Sequence, residues 1–141
     1  MNISRYLLGK VRRIRARFYN LRGASHRHLG NSHADVDEYD RAVQDFSKAI
    51  ALDPSYAEAY YNRGVLYWRE FGNYYRAICD LTRVIELAPH WAEAHFNRGL
   101  AYKLHGNRDR AIADFQRYLR IGRDAFWLGA AERQLRELGE W

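Results

Sequence analysis

The side chains with latent chemistry in this chain are histidines and aspartates. Five of the six histidines, His26, His28, His33, His95 and His105, would suggest a metal site if their spacing closed a ligand shell. No such spacing recurs among them. The single cysteine, Cys79, has no second thiol to pair with and no metal-ligand pattern around it. Its lone presence points to a reducing compartment. Asp45, Asp80 and Asp114 are better ordered, recurring at equivalent places along the chain. That recurrence marks a repeated structural feature, because a general acid and base need two carboxylates brought together once, in unlike surroundings. The sequence holds no glycine-rich phosphate loop, no Gly-x-Ser-x-Gly turn and no His-Glu-x-x-His pair. The expectation is a protein without catalytic residues, metal, cofactor or small-molecule substrate.

The elements that carry these residues are set by a repeat. Pro54-Ser-Tyr-Ala-Glu-Ala-Tyr-Tyr-Asn-Arg-Gly-Val-Leu-Tyr67 returns thirty-five residues later as Pro89-His-Trp-Ala-Glu-Ala-His-Phe-Asn-Arg-Gly-Leu-Ala-Tyr102, with eight identical positions. A period of this length signals small stacked units that bury their apolar faces on one another. The 141 residues suit one compact array, with 48% hydrophobic residues for a core and no apolar run long enough to span a bilayer.

The pattern predicts three helical hairpins, roughly 24–54, 57–89 and 92–123. Gly30, Gly64 and Gly99 fall mid-way along the first helices, and Ala42, Ala77 and Ala111 begin the second ones. A mid-helix glycine is about 1 kcal/mol worse than alanine, so three at matched places imply close approach of each helix to its partner. Phe46, Leu81 and Phe115 follow the alanines by four residues and fill the remaining space. Pro54 and Pro89 stop the second helices, and Glu58 and Glu93 sit in the favourable first turn of the next. An extra residue near Phe71-Gly72 predicts a longer turn in the second hairpin. Residues 126–140 form one more helix, with Trp127, Ala130, Ala131, Gln134, Leu135 and Leu138 inward, and Trp141 closes the chain.

These residues resemble the tetratricopeptide repeat (TPR), a 34-residue helix–turn–helix unit. The second repeat matches through Tyr60, Arg63-Gly64, Tyr67, Ala77, Leu81, Val84 and Pro89. The third matches through His95, Arg98-Gly99, Tyr102, Ala111, Phe115 and Tyr118, with Arg123 in place of proline. The first matches through Leu29-Gly30, Ala42, Phe46, Ala49 and Pro54, with His33 where tyrosine belongs. The resemblance implies an all-α, right-handed superhelical array of hairpins: repeats at about 23–56, 57–91 and 92–125, and a capping helix at 126–141. It also implies a concave face that takes a partner helix or peptide on Arg27, Asn31, Tyr61, Asn62, Val65, Trp68, Arg69, Phe96, Asn97, Leu100, Lys103 and Leu104. Helical spacing independently puts Tyr61, Val65 and Trp68 on one face, and Phe96, Leu100 and Leu104 on another. The alternative is that these residues only pack between repeats. Some TPR proteins clamp a chaperone's C-terminal carboxylate. Arg27, Asn31 and Asn62 fall at three of the clamp positions, but Glu93 and Asn97 occupy the other two, and an acid there repels a carboxylate.

The net charge of +6 is unevenly placed. Residues 1–22 hold seven basic side chains and no acid, leaving 16 basic and 17 acidic residues in the remainder. Ile3, Leu7, Val11, Ile14, Phe18 and Leu21 form an apolar stripe on this segment, which reads as a basic amphipathic helix ended by Gly23-Ala24-Ser25. Leu7, Lys10, Val11, Arg12, Arg13, Ile14, Arg15, Arg17 and Phe18 are its candidate docking residues. Four readings of the arm stay open: a cap on the first repeat, an anchor on an anionic membrane surface, a dock for a partner such as a membrane-complex subunit, and an import segment or nucleic-acid arm. The expected function is a non-catalytic adaptor or scaffold in complex assembly. The expected location is cytoplasmic, at a membrane periphery if the arm binds lipid, with organellar import as the alternative.

Overall fold

The computed structural model describes residues 3–140. Over that range the chain forms helices α1 (Ile3–His33), α2 (Val36–Leu52), α3 (Ala57–Arg69), α4 (Tyr74–Leu87), α5 (Ala92–Leu104), α6 (Arg108–Ile121) and α7 (Ala125–Glu137). Met1, Asn2 and Trp141 lie outside the described residues, the last along with the expectation that it closes the chain. Asp35, Asn73, Asn107 and Asp124 start α2, α4, α6 and α7 by accepting a bond from a backbone N–H of the first turn. Glu58 and Glu93 lie in the first turns of α3 and α5, as expected.

Consecutive helices pack in pairs: α1 on α2, α3 on α4 and α5 on α6. The second helix of each pair also packs on the next helix in the chain, and α1, α3 and α5 touch edge to edge. The core is the seam between these layers. Ala42, Phe46, Ala77, Leu81, Ala111 and Phe115 are wholly or almost wholly buried at the expected places. The last helix covers the open end of α6 with Ala130, Ala131 and Leu135, as repeat arrays require.

Two expectations fail in the first hairpin. Gly23-Ala24-Ser25 does not end a helix; α1 runs through it for 31 residues. The basic segment and the first helix of the first repeat are therefore one rod. The register also differs from the motif match. A Cβ on Gly64 would meet Leu81 Cγ at 3.1 Å, and one on Gly99 would meet the Phe115 ring at 2.9 Å. The residue that approaches Phe46 in the same way is Gly23, at 2.8 Å from its ring and 3.2 Å from the Ala42 carbonyl oxygen. Gly30 instead lies against the Tyr39 ring, 2.6 Å from where its Cβ would be.

Salt bridges give the same register. Arg63 and Arg98 bind Asp80 and Asp114 through two bonds each, all at 2.8 Å. Their counterpart is Arg22, bound to Asp45 at 2.6 and 2.7 Å. The first repeat thus carries Arg22-Gly23 in the place where Leu29-Gly30 was expected, and His26 takes the tyrosine place assigned to His33. Nineteen residues separate Gly23 from Ala42, against thirteen from Gly64 to Ala77 and twelve from Gly99 to Ala111. The surplus lengthens both arms of the first hairpin by about a turn. Tyr39 closes this extension by packing on Gly30 and donating its hydroxyl to Asn31 Oδ1. His26 ties α1 to Glu38 at 2.6 Å and holds that carboxyl below its ordinary range.

Candidate functional site

The exposed faces of α1, α3 and α5 share one wall, laced together by a ladder of polar side chains. At the position four residues past each close-approach glycine, one side chain reaches the next helix. Arg27 donates to Asn62 Oδ1 at 3.1 Å, Trp68 Nε1 to Asn97 Oδ1 at 3.2 Å and Lys103 to Gln134 Oε1 at 2.8 Å. The asparagines pass the pattern backwards: Asn62 donates to Asn20 Oδ1 at 3.0 Å, and Asn97 donates to the Tyr61 hydroxyl at 3.1 Å. Position three before each glycine carries the packing contact. Asn20 bonds the Tyr56 hydroxyl at 3.2 Å, Tyr61 stacks on Trp91 at 4.7 Å, and Phe96 meets Trp127 edge-on at 5.1 Å.

Above this ladder lies a cleft of about 500 Å³. Tyr61, Val65, Leu66, Trp68, Leu100 and Trp127 supply its apolar lining, and Arg27, Asn31, Arg69, Glu70 and Asn97 its polar margin. The volume falls in the range that takes a few side chains or a small ligand. Burial, reinforced by the carboxylate of Glu93, pushes the Tyr61 phenol up to about 12. It is therefore protonated at neutral pH and accepts the Asn97 amide as a neutral hydroxyl.

Eight of the twelve residues expected on the concave face line this cleft: Arg27, Asn31, Tyr61, Val65, Trp68, Arg69, Asn97 and Leu100. The other four lie elsewhere in the wall. Asn62 is buried in the ladder, Phe96 is buried against Phe115, Tyr118 and Trp127, Lys103 pairs with Gln134 and Glu137, and Leu104 is exposed beyond the lining. Leu66, Glu70 and Trp127 line the cleft but are absent from the expected set. Trp127 belongs to the capping helix, where its spacing looked like core. Asp45, Asp80 and Asp114, the recurrent aspartates, are the buried halves of the arginine pairs. His95 is likewise buried, hydrogen-bonded to Asp114 at 3.4 Å and to the Pro89 carbonyl oxygen at 3.3 Å. The corrected register also moves the first two clamp positions from Arg27 and Asn31 to Asn20 and Ala24. A set of Asn20, Ala24, Asn62, Glu93 and Asn97 has no cation to hold a carboxylate.

The arm residues lie together on the free end of α1. Ile3, Leu7, Val11, Ile14, Phe18 and Leu21 are all exposed, from 52% to 74%. No described helix is long and apolar enough to cross a membrane.

Stacked two-helix units, a shared concave wall and a capping helix define a helical-repeat protein. Family comparisons specify which kind. A model described as TPR repeat matches residues 30–70, and two described as tetratricopeptide repeat match 57–90 and 92–125. The chain belongs to the tetratricopeptide-repeat family. No curated protein matches it. Among solved structures, MamA is 31% identical over 74% of this chain, with a TM-score of 0.66; the match spans 57% of the MamA chain. The second TPR of Spaghetti (RPAP3), solved bound to the HSP90 peptide SRMEEVD, is 28% identical over 71% of this chain and 92% of its own, with a TM-score of 0.60. The Arabidopsis OM64 TPR domain covers 89% of this chain and 98% of its own at a TM-score of 0.74, and at 22% identity it supports the fold alone.

Proposed function

We propose that this chain is a non-catalytic protein-interaction adaptor that takes an extended or helical segment of a partner on its concave face. One observation carries the reading. The polar groups of the wall are already bonded to one another, while Tyr61, Val65, Trp68, Leu100 and Trp127 line an open cleft. A surface of that kind gains free energy by taking apolar anchors from a partner, and aromatic residues at the centre of such a patch are where binding energy concentrates. The peptide carried by the related RPAP3 repeat favours the same use of the fold. The mode differs, because the positions of a carboxylate clamp hold amides, an alanine and an acid here. Arg27 and Arg69 at the margin orient a partner segment rather than seize its terminus.

Peptides selected on the intact chain from a random display library test this reading. They should share two or more apolar residues and lose about 2 kcal/mol of affinity, some thirtyfold, on Trp68→Ala or Trp127→Ala. Their affinity should change little between low and moderate salt. Selected peptides that bind equally well to both variants would remove the groove from consideration.

A further inference from the structure

The free end of α1 is a second, separate interaction element. From Ile3 to Arg15 every residue is exposed except Gly9, which is half-buried and would have nothing within 4 Å of a Cβ, so the rod projects about 20 Å beyond the hairpins at 1.5 Å per residue. Leu7, Val11, Ile14, Phe18 and Leu21 advance by four, three, four and three residues. That alternation is the 3.5-residue period of a helix–helix seam. The five side chains span roughly 80° of arc, the width of a seam that takes a single helix, with Tyr6 and Leu8 exposed to either side of it. Ala16, Asn20 and Gly23, which face the protein, are buried on the opposite side of the rod.

The seam continues onto the stacking surface of the array. Leu66 of α3 packs with Ala42 and Phe46 of the preceding α2, and Ala101 of α5 packs with Ala77 of α4. Arg63 and Arg98 bind Ser47 and Thr82 on those same preceding helices at 3.0 and 3.2 Å. In the register set by the glycines, the place of Leu66 and Ala101 belongs to Ser25 on α1, which is exposed on the same face as Phe18 and Leu21. Where α3 and α5 receive a helix, α1 offers the same face with no helix packed on it among the described residues.

Charge then selects the occupant. The charged positions flanking the seam are Lys10, Arg15, Arg17 and Arg22, all basic. Arg22 is held by Asp45, and the other three are exposed. Two copies of α1 would set these cations against one another, which disfavours self-pairing. We propose that the seam of α1 docks one amphipathic helix of a partner protein, with apolar residues at the same three-and-four spacing and acidic residues on both flanks.

The test uses full-length protein and three labelled peptides of three heptads. One has a leucine seam with glutamate flanks, one a leucine seam with lysine flanks, and one a serine seam with glutamate flanks. Fluorescence anisotropy should show the first binding at least tenfold tighter than the other two. Ile14→Asp, at a 66% exposed position that leaves the fold intact by circular dichroism, should weaken it at least tenfold. Trp68→Ala should leave it unchanged, which separates this surface from the concave groove. Equal binding of the serine-seam peptide would reduce the effect to charge attraction and overturn the proposal. So would loss of binding on Trp68→Ala, a seam-dependent dimer in sedimentation, or Ile14-dependent flotation with phosphatidylglycerol vesicles without peptide binding.

Discussion

Gly9 and Gly23 sit on one helix in opposite surroundings. A methyl group on Gly9 meets nothing within 4 Å, whereas one on Gly23 enters the Phe46 ring at 2.8 Å. Phe46 is fully buried and cannot yield. Gly9→Ala should therefore stabilise the chain by about 0.5–1 kcal/mol through helix propensity, and Gly23→Ala should destabilise it by about 1–3 kcal/mol through overpacking. Urea melts of the two variants check both signs. Tyr61 supplies a second prediction at this scale. A phenol raised from 10.0 to about 12 keeps its proton longer in the folded state. Its contribution to stability is complete below pH 10 or so and is lost as pH rises toward 12. Absorbance titration should show a late tyrosinate step that Tyr61→Phe removes.

Among the elements, α1 is the one whose extent had to be seen. Gly23-Ala24-Ser25 reads as a break because small residues usually punctuate helices. Here the glycine is helical because α2 comes too close for a side chain. The register was ambiguous for a geometric reason: Gly23 and Gly30 are seven residues apart, almost two full turns, and so lie on the same face of one helix. The sequence did carry a discriminating signal, since Arg22-Gly23 repeats the Arg-Gly pairs at 63–64 and 98–99 while Leu29-Gly30 does not. The turn after α1 leads to a further prediction. Left-handed conformations in the turns after α3, α5 and α7 fall on Gly72, Gly106 and Gly139, but after α1 on Ala34, at φ 53°. Ala34→Gly should relieve that strain and raise stability by about 1 kcal/mol in thermal melts.

Across the whole molecule, the arginines of the buried ion pairs tie successive hairpins together. Arg63 and Arg98 each join their own hairpin to the one before through Ser47 and Thr82, while the pair at Arg22 stands at the end of the array. Asp80 and Arg63 have side chains 7% and 20% exposed, whereas Arg22 is 44% exposed. Asp80→Ala strands a partly buried guanidinium and should cost about 3 kcal/mol. Asp45→Ala leaves Arg22 free to turn to water and should cost about 1 kcal/mol or less. Equilibrium unfolding followed by helicity measures the difference, and equal losses would contradict the end-of-array placement of α1.

The sequence by itself determined the class of fold, because a thirty-five-residue period with paired small residues has few ways to bury its apolar faces. It also located most of the cleft, since Tyr61, Val65 and Trp68 share a helical face whatever they pack on. Tertiary structure alone decided which of those residues stay available. Asn62, Phe96 and Lys103 lie on the expected helices but are consumed by bonds and ring contacts to neighbouring helices, Asn62 to α1 before it and Phe96 and Lys103 to helices after them. Trp127 joined the cleft because the capping helix folds back across α5. It decided the first repeat as well, since two glycines one heptad apart are equivalent to a helix and distinguishable only by what packs against each.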